Sequence, residues 1–107
     1  MSDTTIDAID QWHQMMATGR YDGLQELLSS DCVFWSPVVH TPQRGRDITL
    51  MYLTAAGKVF DTDFRYVREI RSADTAVLEF ECSVDDIQVN GIDMIQVDNN
   101  QIIDFKV

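Results

Sequence analysis

The stretch IQVNGIDMIQV, residues 87–97, alternates with a period of two, the pattern of a β-strand, whose successive side chains point to opposite faces. One set is Ile87, Val89, Gly91, Asp93, Ile95 and Val97; the other is Gln88, Asn90, Ile92, Met94 and Gln96. Asp93 alone interrupts the apolar set. If that face packs on the rest of the chain, a carboxylate is drawn inside, where it is costly without a partner. Donors or a cation would keep Asp93 charged. Without them, desolvation raises its pKa, by up to about 3–5 units when burial is complete, and leaves an acid able to donate to a ligand oxygen. A bulge near Gly91 that turned Asp93 outward, or a local backbone donor, is the alternative.

The same period runs through residues 63–71, 75–84 and 101–107, so four strands are expected, joined by turns at 72–74, 85–86 and 98–100. Earlier in the chain the period is helical. Thr4 or Thr5 caps a helix with Ile6, Ile9, Trp12 and Met16 on one stripe, and Gly19 stops it. Asp22 is expected to cap a short helix with Leu24, Leu27 and Leu28. Residues 32–36 form a strand ended by Pro37, and Asp47 caps a third helix with Ile48, Met51, Tyr52, Ala55 and Val59 on its stripe. Helices first and an antiparallel meander last is an α+β order, with the helices covering one face of a curved sheet.

The chain has 107 residues, 45% hydrophobic and 24% charged, and neither a repeat nor a linker divides it, so a single domain over residues 1–107 is expected. A formal charge of -10 argues against nucleic acid and anionic lipid as partners. No apolar run approaches the roughly 18 residues that cross a bilayer, and the start MSDTTIDAID does not read as a secretory signal, so a cytoplasmic protein without a membrane partner is expected. Cys32 and Cys82, without CxxC spacing, read as buried free thiols. His13 and His40 stand apart with no HxH or HExxH spacing, so neither a metal nor another cofactor is expected.

Residues 34–45, FWSPVVHTPQRG, carry two prolines and many apolar side chains, unlike an ordinary polar loop. Together with WHQMMATGRYDGLQELLSSDCVFWSP, RGRDITLMYL and GIDMIQVDNNQIIDFKV, this segment resembles the cystatin-like α+β family of nuclear transport factor 2, ketosteroid isomerase and the SnoaL-like polyketide cyclases. The resemblance spans nearly the whole chain and implies a curved antiparallel sheet wrapped around the N-terminal helices, a cone-shaped NTF2-like barrel with a pocket between them. FWSPVVHTPQRG would then be the lip of that pocket.

Against ketosteroid isomerase, Asp93 in GIDMI matches the carboxylic acid of the oxyanion hole, a known case of an acid kept neutral. Trp12 falls where that enzyme has a tyrosine, and its indole N–H could keep half of that role. Ser36 falls where it has the aspartate base, and a hydroxyl cannot replace a carboxylate base. Steroid isomerisation by that mechanism is therefore not expected.

Two functions remain open. The first is a SnoaL-like isomerase, cyclase or hydrolase in which Asp93 donates to a developing oxyanion and His40, on the lip, moves a proton. Trp12, Met16, Trp35, Ser36, Tyr52, Phe60 and Phe80 would contact a small apolar organic ligand; ordinary core packing is the alternative for each aromatic. The second is a non-catalytic ligand-binding or dimerisation module. In either case Ile92 and Met94, on the far face of the sheet, suit burial by a second copy, giving a homodimer.

Overall fold

The computed structural model describes residues 7–36, 41–59 and 63–107, the side chains at 58 and 59 excepted. Its elements run α1 (Ala8–Thr18), α2 (Leu24–Leu27), β1 (Leu28–Trp35), β2 (Gln43–Arg44), α3 (Arg46–Val59), β3 (Arg65–Arg71), β4 (Thr75–Val84), β5 (Ile87–Asp98) and β6 (Gln101–Lys106). The six strands form one curved sheet in the order β2-β1-β6-β5-β4-β3. All neighbours are antiparallel except β1 and β6, which run parallel. Among the described residues no helix is long and apolar enough to cross a membrane.

Asp7, not Thr4 or Thr5, caps α1: its carboxylate accepts the Asp10 N–H at 2.9 Å. The buried stripe is Ala8, Ile9, Trp12 and Met15, and Gly19 ends the helix at φ 71° with its N–H donated to the Met15 carbonyl. The second helix is a single turn, with Gly23 rather than Asp22 at its N-cap, because Leu28 already has extended backbone and pairs with Ile102 of β6. Thus the first strand starts at Leu28, four residues before the 32–36 expected from sequence. Leu28, Cys32 and Phe34 bury themselves from it into a core shared with Trp12, Leu24, Leu53, Leu78, Ile95, Ile102 and Phe105. Cys32 and Cys82 are free, buried thiols.

Two hairpins close on pairs of residues in left-handed conformation: Asp85 and Asp86 at φ 50° and 65°, and Asn99 and Asn100 at 51° and 59°. Positive φ at both central positions is the two-residue turn whose twist matches that of the flanking strands, and Asp and Asn tolerate it. The second turn also reaches a helix, since Asn100 Oδ1 accepts the Ala8 N–H at 2.7 Å.

β3 contains a slip that decides where its side chains go. Tyr66 pairs with Phe80 and Arg68 with Glu79, so Val67 is an extra residue, a β-bulge. Before the bulge Tyr66 looks inward. After it Glu69 and Arg71, opposite the buried Leu78 and Ala76, take the inner side, and Arg68 and Ile70 face out. Strict alternation from Tyr66 would have put Arg68 and Ile70 inside.

β5 keeps its alternation: Asp93 and Ile95 are buried, whereas Ile92 and Met94 are 45% and 41% exposed. Gly91 lies opposite Phe80, whose ring covers it; a Cβ there would stand 2.6 Å from Phe80 Cζ. Gly91→Ala should cost about 1–3 kcal/mol by overpacking in urea unfolding, and clearly less in a Phe80→Leu background. Equal costs in both backgrounds would show that the ring is not the obstacle.

Candidate functional site

The bulge in β3, the inward face of β5 and the buried stripe of α1 converge on one point. A cavity of about 50 Å³ lies there, walled chiefly by Trp12, Met16, Phe34, Phe64, Phe80 and Phe105, with Asp93 as the one ionisable side chain among its described lining residues. Rings fill most of the hollow: Phe64 stacks on Phe80 with centroids 5.1 Å apart, and Trp12 meets Phe105 edge-on at 5.1 Å. Such a volume holds a few water-sized groups.

A string of hydrogen bonds crosses the inner face. Trp12 Nε1 donates to Tyr66 Oη at 2.8 Å, and Tyr66 Oη donates to Asp93 Oδ2 at 2.5 Å. Asp93 is 6% exposed, and burial pushes its carboxyl up to about 7, against the opposing pull of the Tyr66 hydroxyl, which favours the ionised form. The Tyr66 hydroxyl is itself pushed well above the usual phenol range, first by burial and then by the Asp93 carboxylate, so it stays protonated and remains the donor.

Outside the cavity an ion-pair cluster joins α1 to the β3 edge. Arg71 bonds Asp10 at 2.7 Å, reaches Asp7 at 3.5 Å and contacts Glu69, which also bonds His13 Nε2 at 2.5 Å. The Arg71 hydrogen bond holds the Asp10 carboxyl below its ordinary range. His13 packs edge-on against the Tyr66 ring at 5.2 Å. The cluster is half-exposed, so each pair adds little stability, but together they fix α1 and Trp12 over Tyr66.

Of the site residues named from sequence, Asp93, Trp12, Met16 and Phe80 meet at this cavity. Tyr52 stacks on the outer side of its wall, against Phe34 at 5.3 Å and 19°. Trp35 points to the opposite face of the sheet, where Nε1 donates to Asp104 Oδ2 at 3.0 Å and Lys106 Nζ sits 4.8 Å over its ring. It is kept from the cavity because Phe34, its neighbour on β1, takes the inward position. Ser36 follows the end of β1 and is not among the described lining residues. His40 and Phe60 lie outside the described residues. Among the described residues no group of three or more His, Cys, Asp or Glu is placed to hold a metal.

Tyr66 was not singled out from sequence, and the structure makes it the direct partner of Asp93. The available signal was weak: a tyrosine in a strand otherwise rich in charge, RYVREIR, whose phase the bulge then shifts. Phe34 belongs to the lip segment expected to line the pocket, whereas Phe64 and Phe105, not anticipated as lining, are indistinguishable in sequence from ordinary core residues.

The raised carboxyl has a consequence for stability. Its folded value of about 7 exceeds the ordinary 3.8, so between them the native state binds a proton that the unfolded chain has released. Stability contributed by this group therefore falls as pH rises across that window, by up to about 4 kcal/mol in all. Asp93→Asn removes the titration. Relative to the wild type it should be more favourable at pH 8 than at pH 4 in urea unfolding, and an effect equal at both pH values would contradict the desolvation.

Comparison with known proteins agrees with this architecture. The SnoaL-like domain model matches residues 9–105. A steroid delta-isomerase from Pseudomonas aeruginosa is 38% identical, with a TM-score of 0.88 over 92% of this chain and 74% of that one. An uncharacterized bacterial protein with a cystatin-like fold from Silicibacter pomeroyi is 30% identical, with a TM-score of 0.84 over 92% and 70%. A putative polyketide cyclase from Sinorhizobium meliloti, 15% identical, shares the fold with a TM-score of 0.76 over 95% and 94%. No curated protein matches. With a family model covering almost its full length, the chain belongs to the SnoaL-like family of the NTF2-like, cystatin-like fold.

Proposed function

We propose that the chain binds a small, largely apolar organic molecule beside Asp93, whose carboxyl serves as a hydrogen-bond donor and acid. The observation that carries this reading is the placement of one buried carboxyl, which burial pushes up, in a cavity whose other described lining residues are rings and aliphatic groups. Small-molecule sites are mostly apolar with a few placed polar groups, and a carboxyl perturbed by burial is a common mark of one. The 38% identical steroid delta-isomerase supports a largely apolar ligand, and an acid that donates suits one carrying an acceptor oxygen. Chemistry of the isomerase, cyclase or hydrolase type needs a base as well, and Ser36 is no substitute for a carboxylate. His40 is the residue proposed to move the proton. Without such a base, the same cavity describes a non-catalytic ligand-binding module.

Cyclopent-2-enone, added to isotope-labelled protein, should shift amide signals of lining residues such as Phe80 and Phe105, and Asp93→Leu should abolish the shifts. Shifts that persist unchanged in Asp93→Leu would remove Asp93 from the binding site. If small unsaturated ketones are turned over, His40→Ala should lower kcat about 10²–10⁴-fold, and an unchanged kcat would exclude His40 as the proton carrier.

The outer face of the sheet supports a homodimer. Cross-strand pairing sets Ile70, Val77, Met94, Lys106 and Trp35 in one row from β3 to β1, with Ile70 63% and Met94 41% exposed. Around the row the charges are matched: Arg68 with Glu79 at 3.2 Å, Arg65 with Glu81 at 2.7 Å, and Lys106 near Asp104 through the shared Trp35 ring. On a chain of charge -10, a locally balanced face is where a second copy meets the least repulsion. Met94→Glu should turn a dimer into a monomer in sedimentation equilibrium, and a wild type that is monomeric throughout would refute this assembly.

A further inference from the structure

We infer that Tyr66 is the positioning residue of the site: it holds Asp93 Oδ2 and takes up the Trp12 N–H, so that Oδ1 alone meets a ligand. This deepens the reading of Asp93 as the ligand's polar partner and rests on it. A phenol has one hydrogen to donate, and here it is aimed at Oδ2 from 2.5 Å. The oxygen that accepts it is the one left without the proton, so a protonated carboxyl carries its hydrogen on Oδ1. No described residue bonds Oδ1.

Trp12, by its place in the resemblance a donor to the ligand, is instead committed to Tyr66 at 2.8 Å. Of the two donors expected from sequence, Trp12 and Asp93, the described residues leave Asp93 to the ligand. The Tyr66 ring makes T-shaped contacts with His13 at 5.2 Å and Phe64 at 5.1 Å, and it lies on the inner face just before the β3 bulge. From the elements packed around Asp93 come Trp12 of α1, Leu53 of α3, Phe34 of β1, Phe80 of β4 and Phe105 of β6, none of them charged. Beyond Asp93, the ionisable groups about the phenol are Tyr21, which raises its titration, and His13, which packs on its ring and bonds Glu69.

Tyr66→Phe tests this in two ways. In ligand-free protein, carbon-13 NMR titration of the Asp93 carboxyl should show its midpoint raised by about one unit, a tenfold change in proton affinity, because the donor to the ionised form is gone. Trp12→Phe, which leaves Tyr66 in place, should move it the same way by less, and it carries the test if Tyr66→Phe fails to fold. At pH 5, where Asp93 is protonated in both proteins, cyclopent-2-enone affinity should fall no more than about twofold, since a proton free to choose between two oxygens still occupies the useful one half of the time. An unmoved midpoint overturns the inference, as does a tenfold loss of affinity at pH 5, which would put the phenol on the ligand. Failure of the ketone to bind wild-type protein counts against the ligand reading instead, and the titration still decides the role of Tyr66.

Discussion

A carboxyl removed from water and held, among the described residues, by a single hydrogen bond is the constraint from which the rest of the inner face follows. Among the described residues Asp93 has Tyr66 as its donor and no cation against it, so burial, opposed by that one bond, pushes its carboxyl up to about 7. Had an arginine stood nearby, the group would be a permanent anion and an ordinary structural ion pair. Had the Tyr66 hydroxyl been absent, burial would act unopposed. Between these limits the carboxyl can change charge near neutrality, which is the property an acid or a proton-linked binding site requires.

The scaffold is arranged so that this group is sheltered without being crowded. Gly91, two residues before Asp93 on the same face, has no side chain, and the Phe80 ring fills the space above it. On β3, Tyr66 looks inward just before the bulge, which then gives Glu69 and Arg71 to the α1 side, where they anchor the helix that carries Trp12. Asn100, in the β5–β6 turn, fastens the first turn of the same helix. Elements distant in sequence are thereby set against each other across a cavity of about 50 Å³.

Much of this was legible in the sequence, and the parts that were not have identifiable causes. The β4 and β5 strands follow from period-two alternation that nothing interrupts, and the inward placement of Asp93 comes from the same count. Helix α1 was legible from its stripe, but its cap was misplaced because Thr4, Thr5 and Asp7 are all competent cap residues and only packing selects among them. Leu28 fits a helical stripe and a strand equally well, and its pairing with Ile102 decides for the strand. Trp35 and Phe34 are adjacent aromatics of which one must face out, and the sequence does not say which. Tyr66 was hidden by the bulge, since a one-residue insertion changes which side chains face inward without leaving a local signature.

The account stands on the environment of one side chain, and the direct measurement is the pH titration of the Asp93 side-chain carboxyl carbon in the wild-type protein, followed by NMR. A midpoint near 7 is the expected result, with the carboxyl protonated through the mildly acidic range. A midpoint near the ordinary 3.8 would mean that water or a cation reaches the group, and it would contradict the sheltered acid on which the proposed function depends.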